Sequence, residues 1–295
     1  MFSYEIWQWV LFFYIYCFFG WIWETVYVSM KSGKFENRGF MNGPFLPIYG
    51  SGAIVILFVA IPVRNNPVLV FLLGMIAATI LELVTGICME NLFHVRYWDY
   101  SYRKIQYKGY ICLVSSLAWG VFSCILIFGL HKPIERFVLS FPDTLGQILS
   151  LLLNIVNIAD FATSFKTAME LKNMLLTSED IKKQIDRLER RREIVEVFMA
   201  DSAEKVSEEL KDYISDIIEK ISDSKEDAQE ELARIVAERD ERMVAFKNRL
   251  IENKSVSDLL RRNPMTVSKK HHDSLGYYKK QFIDSVNSVK GMIVK

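Results

Sequence analysis

The sequence predicts an all-α membrane protein: a polytopic bundle of about five spans in residues 1–165, followed by a cytoplasmic helical hairpin or coiled coil. Three observations predict it. Residues 1–165 carry ten Lys/Arg and nine Asp/Glu, whereas residues 166–295 carry 26 of each. The first part contains apolar runs near the roughly 20 residues that cross about 30 Å of hydrocarbon. In the second, apolar residues recur every three or four positions among charges, the period of an amphipathic helix. The formal net charge of +1 therefore averages two chemically different parts. It carries no basic excess that would point to nucleic acid and no acidic excess that would point to a basic partner.

The first span is expected from Ile6 to Met30, dense in Trp, Tyr and Phe and interrupted by Glu24. Its leading residues lack a positive n-region and a small-residue cleavage site, so it reads as a retained membrane helix. The second runs from about Pro47 to Val63, near the lower length limit, with an interfacial or re-entrant start at the Gly/Pro-rich segment before it. The third spans Pro67–Met89 with Glu82 inside it, the fourth Gly109–Leu130 and the fifth Leu145–Phe165.

Lys31, Lys34, Arg38, Arg96, Arg103, Lys104 and Lys108 lie in one set of loops, against Arg64, Lys132 and Arg136 in the other. The positive-inside rule then places the N-terminus outside and the tail in the cytoplasm, as expected for a plasma-membrane protein of five spans.

Residues 166–176 read as a connecting segment and 177–253 as the charged amphipathic hairpin. Thr177–Asp180 reads as a capping box opening its first helix, which carries Ile181, Ile185, Leu188, Val195, Phe198, Val206, Leu210, Ile214, Ile217 and Ile221. A break at Ser222–Ser224, with Ser224 and Asp227 as a second cap, precedes a stretch marked by Leu232, Ile235, Val236, Met243, Phe246 and Leu250. Pro264 stops any continuation. Residues 254–295 read as a partly helical or flexible end, with Leu275–Val289 weakly amphipathic.

Cys17, Cys88, Cys112 and Cys124 lie in apolar runs without CxxC spacing, so they read as small hydrophobes. No GxxxxGK[ST], GxSxG or HExxH motif occurs, so the reading leans away from an enzyme and expects no cofactor. His94 stands between Glu90 and Asp99 without a second histidine nearby, which leaves any metal unspecified.

Polar residues in the apolar part carry the functional signal, because a charge at the bilayer centre costs roughly 2.5–3.5 kcal/mol on insertion scales. Glu82, Gly86 and Glu90 recur at i, i+4 and i+8 on one stripe, and Glu24 lies near the cytoplasmic end of the first span. Glu24, Asn37, Arg38, Glu82, Glu90 and Asp99 are the candidates for binding a substrate or ion. Gly39, Gly43, Pro44, Pro47, Gly50 and Trp98 are the candidates for shaping the loops around them. Asn154, Asn157 and Asp160 form a further stripe that reads as helix–helix glue.

Gly20-Trp21-x-x-Glu24, Asn37-Arg38-Gly39, Gly43-Pro44-x-x-Pro47-Ile48-Tyr49-Gly50, Glu82, Glu90 and Trp98-Asp99-Tyr100-Ser101 together resemble a bacterial membrane family described as putative ABC-transporter type IV, or putative ABC transporter permease, which has eukaryotic transmembrane members. The resemblance covers roughly residues 8–130 and leaves the tail outside. It implies a permease subunit of unassigned substrate whose ATPase is a separate chain. The residues alone leave two alternatives open: a membrane scaffold or sensor whose tail recruits a cytosolic partner or self-associates, and an interfacial lipid-binding protein or enzyme. The lipid bilayer is the common partner of all three.

Overall fold

The computed structural model describes residues 4–33, 35–199, 230, 232–238, 240–242, 244, 253–264, 266–268 and 275–276. Much of the expected tail, including Val206–Ile221, the break at Ser222–Ser224, Leu250 and nearly all of Leu275–Val289, lies outside the described residues.

Helix α1 spans Ile6–Ser32 and ends on Gly33 in the left-handed region (φ 69°). A Gly/Pro loop leads to α2, Pro47–Ala60, which a 3₁₀ turn extends to Val63. Helix α3, Pro67–Phe93, opens with Pro67 in its first turn while Asn66 Oδ1 accepts from the Val68 and Leu69 amides at 3.1 and 3.2 Å. It closes on His94, also left-handed at φ 58°, which gives that histidine a backbone role.

A loop with a two-stranded hairpin follows: β1, Gln106–Tyr107, pairs antiparallel with β2, Ile111–Cys112. The turn between them carries positive φ at Lys108 and Gly109, so no helix starts at Gly109 as expected; α4 begins at Leu113 and runs to Ile125. It does not end at Leu130 either. A π turn at Leu126–Leu130 leads straight into α5, His131–Leu139, forming one apolar stretch of 27 residues. Helix α6 runs from Asp143 to Met199.

Among the described residues, four helical stretches are long and apolar enough to cross a membrane: Ile6–Met30, Pro67–Phe93, Leu113–Leu139 and the first part of Asp143–Glu193. The second expected span, Pro47–Val63, falls short of that length. The helix faces turned outward are apolar, as Leu69, Ile76, Ile80 and Val84 on α3 and Leu151, Ile155 and Ile158 on α6 show. Inside, Phe12, Ile56, Leu57, Ala60, Val70, Ala78, Leu126 and Val138 form the core.

Residues 166–176 are helical, and Thr177–Asp180 does not open a new helix. Helix α6 runs through both because no Gly or Pro interrupts it after Gly146. The Thr177 and Ser178 hydroxyls bond back to the Asn173 and Met174 carbonyls instead of capping.

The chain divides into two compact units. One comprises Met1–Lys172 with Ser255–His272, the other Asn173–Lys254 with Asp273–Lys295. In the second, Leu188, Val195 and Ile235 are buried, and the Arg242 guanidinium donates to Gln184 and Glu238. In the first, α7, Lys254–Arg262, and the residues after it return to the loops between the membrane helices.

Candidate functional site

Glu82 sits 11 residues before the Phe93 end of α3, about 16 Å along the helix at 1.5 Å per residue. It is 6% exposed. Its Oε1 accepts from the Tyr100 hydroxyl at 3.0 Å, and its Oε2 accepts from Ser115 Oγ and Trp119 Nε1, each at 3.2 Å. Ser115 and Trp119 lie one turn apart on α4, so one helix face supplies two donors while the loop supplies the third. Burial, then the neighbouring Glu82 charge, push the Tyr100 phenol above its usual range, which keeps its proton available for donation.

Along the same stripe, Gly86 admits the loop against α3. A Cβ there would stand 3.0 Å from Tyr110 and 3.4 Å from Trp98. Trp98 Nε1 donates to the Tyr110 carbonyl at 2.9 Å, which holds the two rings together. One helical turn further, Glu90 accepts from the Tyr110 hydroxyl at 2.6 Å and from Arg96 Nε. The Arg96 guanidinium also donates to the Lys108 carbonyl at 2.6 Å, lies 4.2 Å from the Tyr110 ring centroid and reaches Asp99 at 3.8 Å. Asp99 in turn accepts from the Ser101 amide and hydroxyl at 3.0 and 2.6 Å. Arg96 is thus the hub that joins Glu90 and Asp99.

Glu24 faces this region from α1. Its Oε1 accepts from the Tyr49 hydroxyl at 2.7 Å and its Oε2 lies 3.6 Å from Arg38 Nε. The Tyr49 ring packs against Trp119, with centroids 5.7 Å apart, so the Glu24–Arg38 pair and Glu82 are linked through two aromatic side chains. Close approach of α1 and α2 makes this possible: a Cβ on Gly50 would stand 2.3 Å from Cys17 Sγ and 2.7 Å from the Phe13 carbonyl.

Asn37 does not turn toward the carboxylates. It accepts from Trp21 Nε1 at 2.6 Å and donates to the Asn42 carbonyl at 2.9 Å, bracing the loop. The loop's far side is fixed by Asp160 of α6, which accepts from the Asn42 and Gly43 amides at 3.1 and 2.8 Å. Asn154 accepts from Tyr14 at 2.8 Å, whereas Asn157 bonds the Leu153 carbonyl of its own helix at 2.9 Å. Of the shaping candidates, Gly39 is left-handed (φ 133°) beneath Leu46, and Pro47 occupies the first turn of α2. Pro44 lies in the bend that leads to it.

Several participants are absent from the list read off the sequence. Tyr49, Arg96, Tyr100, Tyr110, Ser115 and Trp119 supply the partners of the carboxylates, and Arg262 and Asn263 approach Arg38 and its loop from the far end of the chain. Tyr49 and Tyr100 stand inside the quoted motifs and Arg96 among the loop charges, whereas the i, i+4 placement of Ser115 and Trp119 was the readable signal on α4. A further polar group joins α1 to α5. Tyr16 and Tyr4 hydroxyls lie 2.8 and 3.4 Å from Nδ1 and Nε2 of the buried His131, and Tyr4 donates to Glu135. Among the described residues, no cluster of three or more His, Cys, Asp or Glu has the arrangement of a metal site.

The family model described as putative ABC-transporter type IV matches residues 11–165. Neither a curated protein nor a solved structure matches the chain.

Proposed function

The chain belongs to the putative ABC-transporter type IV family, and from that membership we propose that it is a permease-like transport component that carries a small solute or ion past Glu82. Its family and its long apolar helices make it an integral membrane protein. The observation that carries the proposal is the environment of Glu82. It is a buried carboxylate within a membrane helix, and its hydrogen bonds come from three neutral donors, with no cation paired to it among the described residues. An intramembrane carboxylate is costly and marks ion pathways and proton relays. A carboxylate already neutralised by arginine resists taking up a proton or cation, whereas one held by hydroxyl and indole groups retains that capacity. The line from Glu82 through Trp119 and Tyr49 to Glu24 and Arg38 leads from this carboxylate to the Gly/Pro loop, the kind of irregular backbone that lines transporter sites.

In this reading the loops rich in Lys and Arg face the cytoplasm, the N-terminus lies outside the plasma membrane, and the charged tail is a cytoplasmic hairpin or coiled coil. That tail recruits a separate ATPase or another cytosolic partner, or pairs with a second copy. Flux through proteoliposomes tests the central claim. Vesicles bearing the chain are incubated with a cytosolic metabolite and salt extract, and their lumen is read by mass spectrometry. At least one solute should accumulate above empty vesicles, and Glu82→Gln should abolish that accumulation. Unchanged accumulation in Glu82→Gln removes Glu82 from the mechanism.

A further inference from the structure

Residues 255–268 belong to the same compact unit as the membrane helices although more than 80 residues separate them from Lys172 in sequence. Two sets of hydrogen bonds fasten them. On one side, Arg262 donates to the Met41 carbonyl and Asn263 Nδ2 donates to the Gly39 carbonyl at 2.9 Å. Arg38 Nη1 returns two bonds, to the Arg262 carbonyl at 3.3 Å and to Asn263 Oδ1 at 3.4 Å. On the other side, Val267 and Arg96 exchange backbone hydrogen bonds of 2.7 and 2.9 Å, and Ser268 Oγ donates to the His94 carbonyl at 2.7 Å. The segment therefore bridges the loop that carries Arg38 and the loop that carries Arg96, the two arginines paired with Glu24 and Glu90.

We propose that residues 255–268 are a displaceable strap that closes the mouth between these two loops, with Arg262 as its anchor. Three features separate a strap from ordinary core. Its polar fastenings reach backbone carbonyls, which water can satisfy when the strap leaves, and among the described residues its buried apolar side is limited to Val256, Leu259 and Leu260 of α7. Arg262 is 6% exposed, an expensive place for a guanidinium, and burial pulls its proton affinity down while Asp160, Asp258 and Tyr97 pull it back up. The Tyr97 hydroxyl near it is buried without a hydrogen-bond partner among the described residues. The closed arrangement is thus incompletely satisfied, as befits a contact that is made and broken. The strap also continues directly, in sequence, from the charged segment Asn173–Lys254, so a partner that engages that segment has a covalent handle on the mouth. It lies outside the residues matched by the family model, and so adds to this chain a control the family match does not describe.

The proposal rests on the reading of the Glu24–Arg38 region as the approach to Glu82, but its test needs no substrate. Full-length protein in lipid nanodiscs is subjected to hydroxyl-radical footprinting and to hydrogen–deuterium exchange. Arg262→Ala/Asn263→Ala should speed exchange across 255–268 at least tenfold. It should raise oxidation of Met41 and Tyr97, 3% and 6% exposed in the closed form, several-fold while leaving the core residue Trp7 unchanged. Faster exchange with unchanged Met41 and Tyr97 oxidation overturns the proposal, as does exchange no faster than wild type. Should Trp7 oxidation also rise, the substitution has loosened the bundle, and a second variant decides. Val95→Cys/Ser268→Cys flanks the Arg96–Val267 pair, and its disulfide should lower oxidation of Met41 and Tyr97 below the reduced level. Equal footprints in oxidised and reduced protein mean that the strap does not leave, and overturn the idea. Loss of the transport reading alone would leave these footprints unchanged.

Discussion

Two neighbourhoods of the same helix hold a carboxylate in opposite ways. Glu90, one turn from the end of α3, is paired with the buried guanidinium of Arg96 and is 23% exposed along its side chain. Glu82, two turns deeper, meets a phenol, a hydroxyl and an indole. The rim carboxylates Glu24 and Glu90 each have an arginine, and both arginines come from loops. The difference teaches where charge is fixed and where it is free to change. At the rim the cation is covalently supplied and the pair fastens loop to helix. In the interior no such cation is supplied among the described residues, and the carboxylate of Glu82 is held by neutral donors.

The sharpest way to break this comparison is Arg96→Ala. The substitution removes the partner of Glu90, a donor to the Lys108 carbonyl and the cation over Tyr110 together. Removing one member of a buried pair costs about 3–5 kcal/mol, and chemical denaturation in mixed micelles should register a loss in that range. A loss below about 1 kcal/mol would mean that the rim pair is solvated and fastens nothing.

Tyr49→Phe probes the joint between rim and interior. Glu24 loses one charge-assisted hydrogen bond but keeps Arg38 and some access to water, so the expected cost is about 1 kcal/mol. The ring contact with Trp119 survives the substitution, so the Glu82 donors should stay in place, which the near-ultraviolet signal of Trp119 checks. A change at Trp119 would show that the two neighbourhoods are one network rather than two.

Helices α1 and α3 were legible to within a few residues because their signals are chemical and local. Apolar length predicts α1 and α3, and Asn66–Pro67 marks the start of α3 by capping and a fixed φ. The short α2 was readable as marginal for the same reason. The fourth span was misplaced at both ends, since the turn at Lys108–Gly109 and the π turn at Leu126–Leu130 depend on contacts that the local pattern does not encode. Among the candidates, charged residues stood out against apolar neighbours, so Glu24, Arg38, Glu82 and Glu90 were singled out from the sequence. Their partners Tyr49, Tyr100 and Trp119 were not, because aromatic residues are equally at home in a membrane core. Arg262 and Asn263 were hidden for a different reason: nothing in a charge-rich tail distinguishes an arginine that folds back onto a distant loop from the others around it.

The smallest stability effect is expected from the residue with the largest functional one. In Glu82→Gln the amide keeps one oxygen for Ser115 and Trp119, and its NH₂ donates to Tyr100 once that hydroxyl rotates to accept. Ser115 and Trp119 keep their acceptor and only the Tyr100 proton gives up its own, so unfolding free energy should fall by no more than about 1 kcal/mol. The alternative, Glu82→Ala, strips an acceptor from three donors and should cost about 1–3 kcal/mol. If Glu82→Gln unfolds as readily as Glu82→Ala, the interior carboxylate is needed for its charge in the resting fold, and the contrast with Glu90 collapses. If stability holds while flux disappears, the charge at this position serves transport and not architecture.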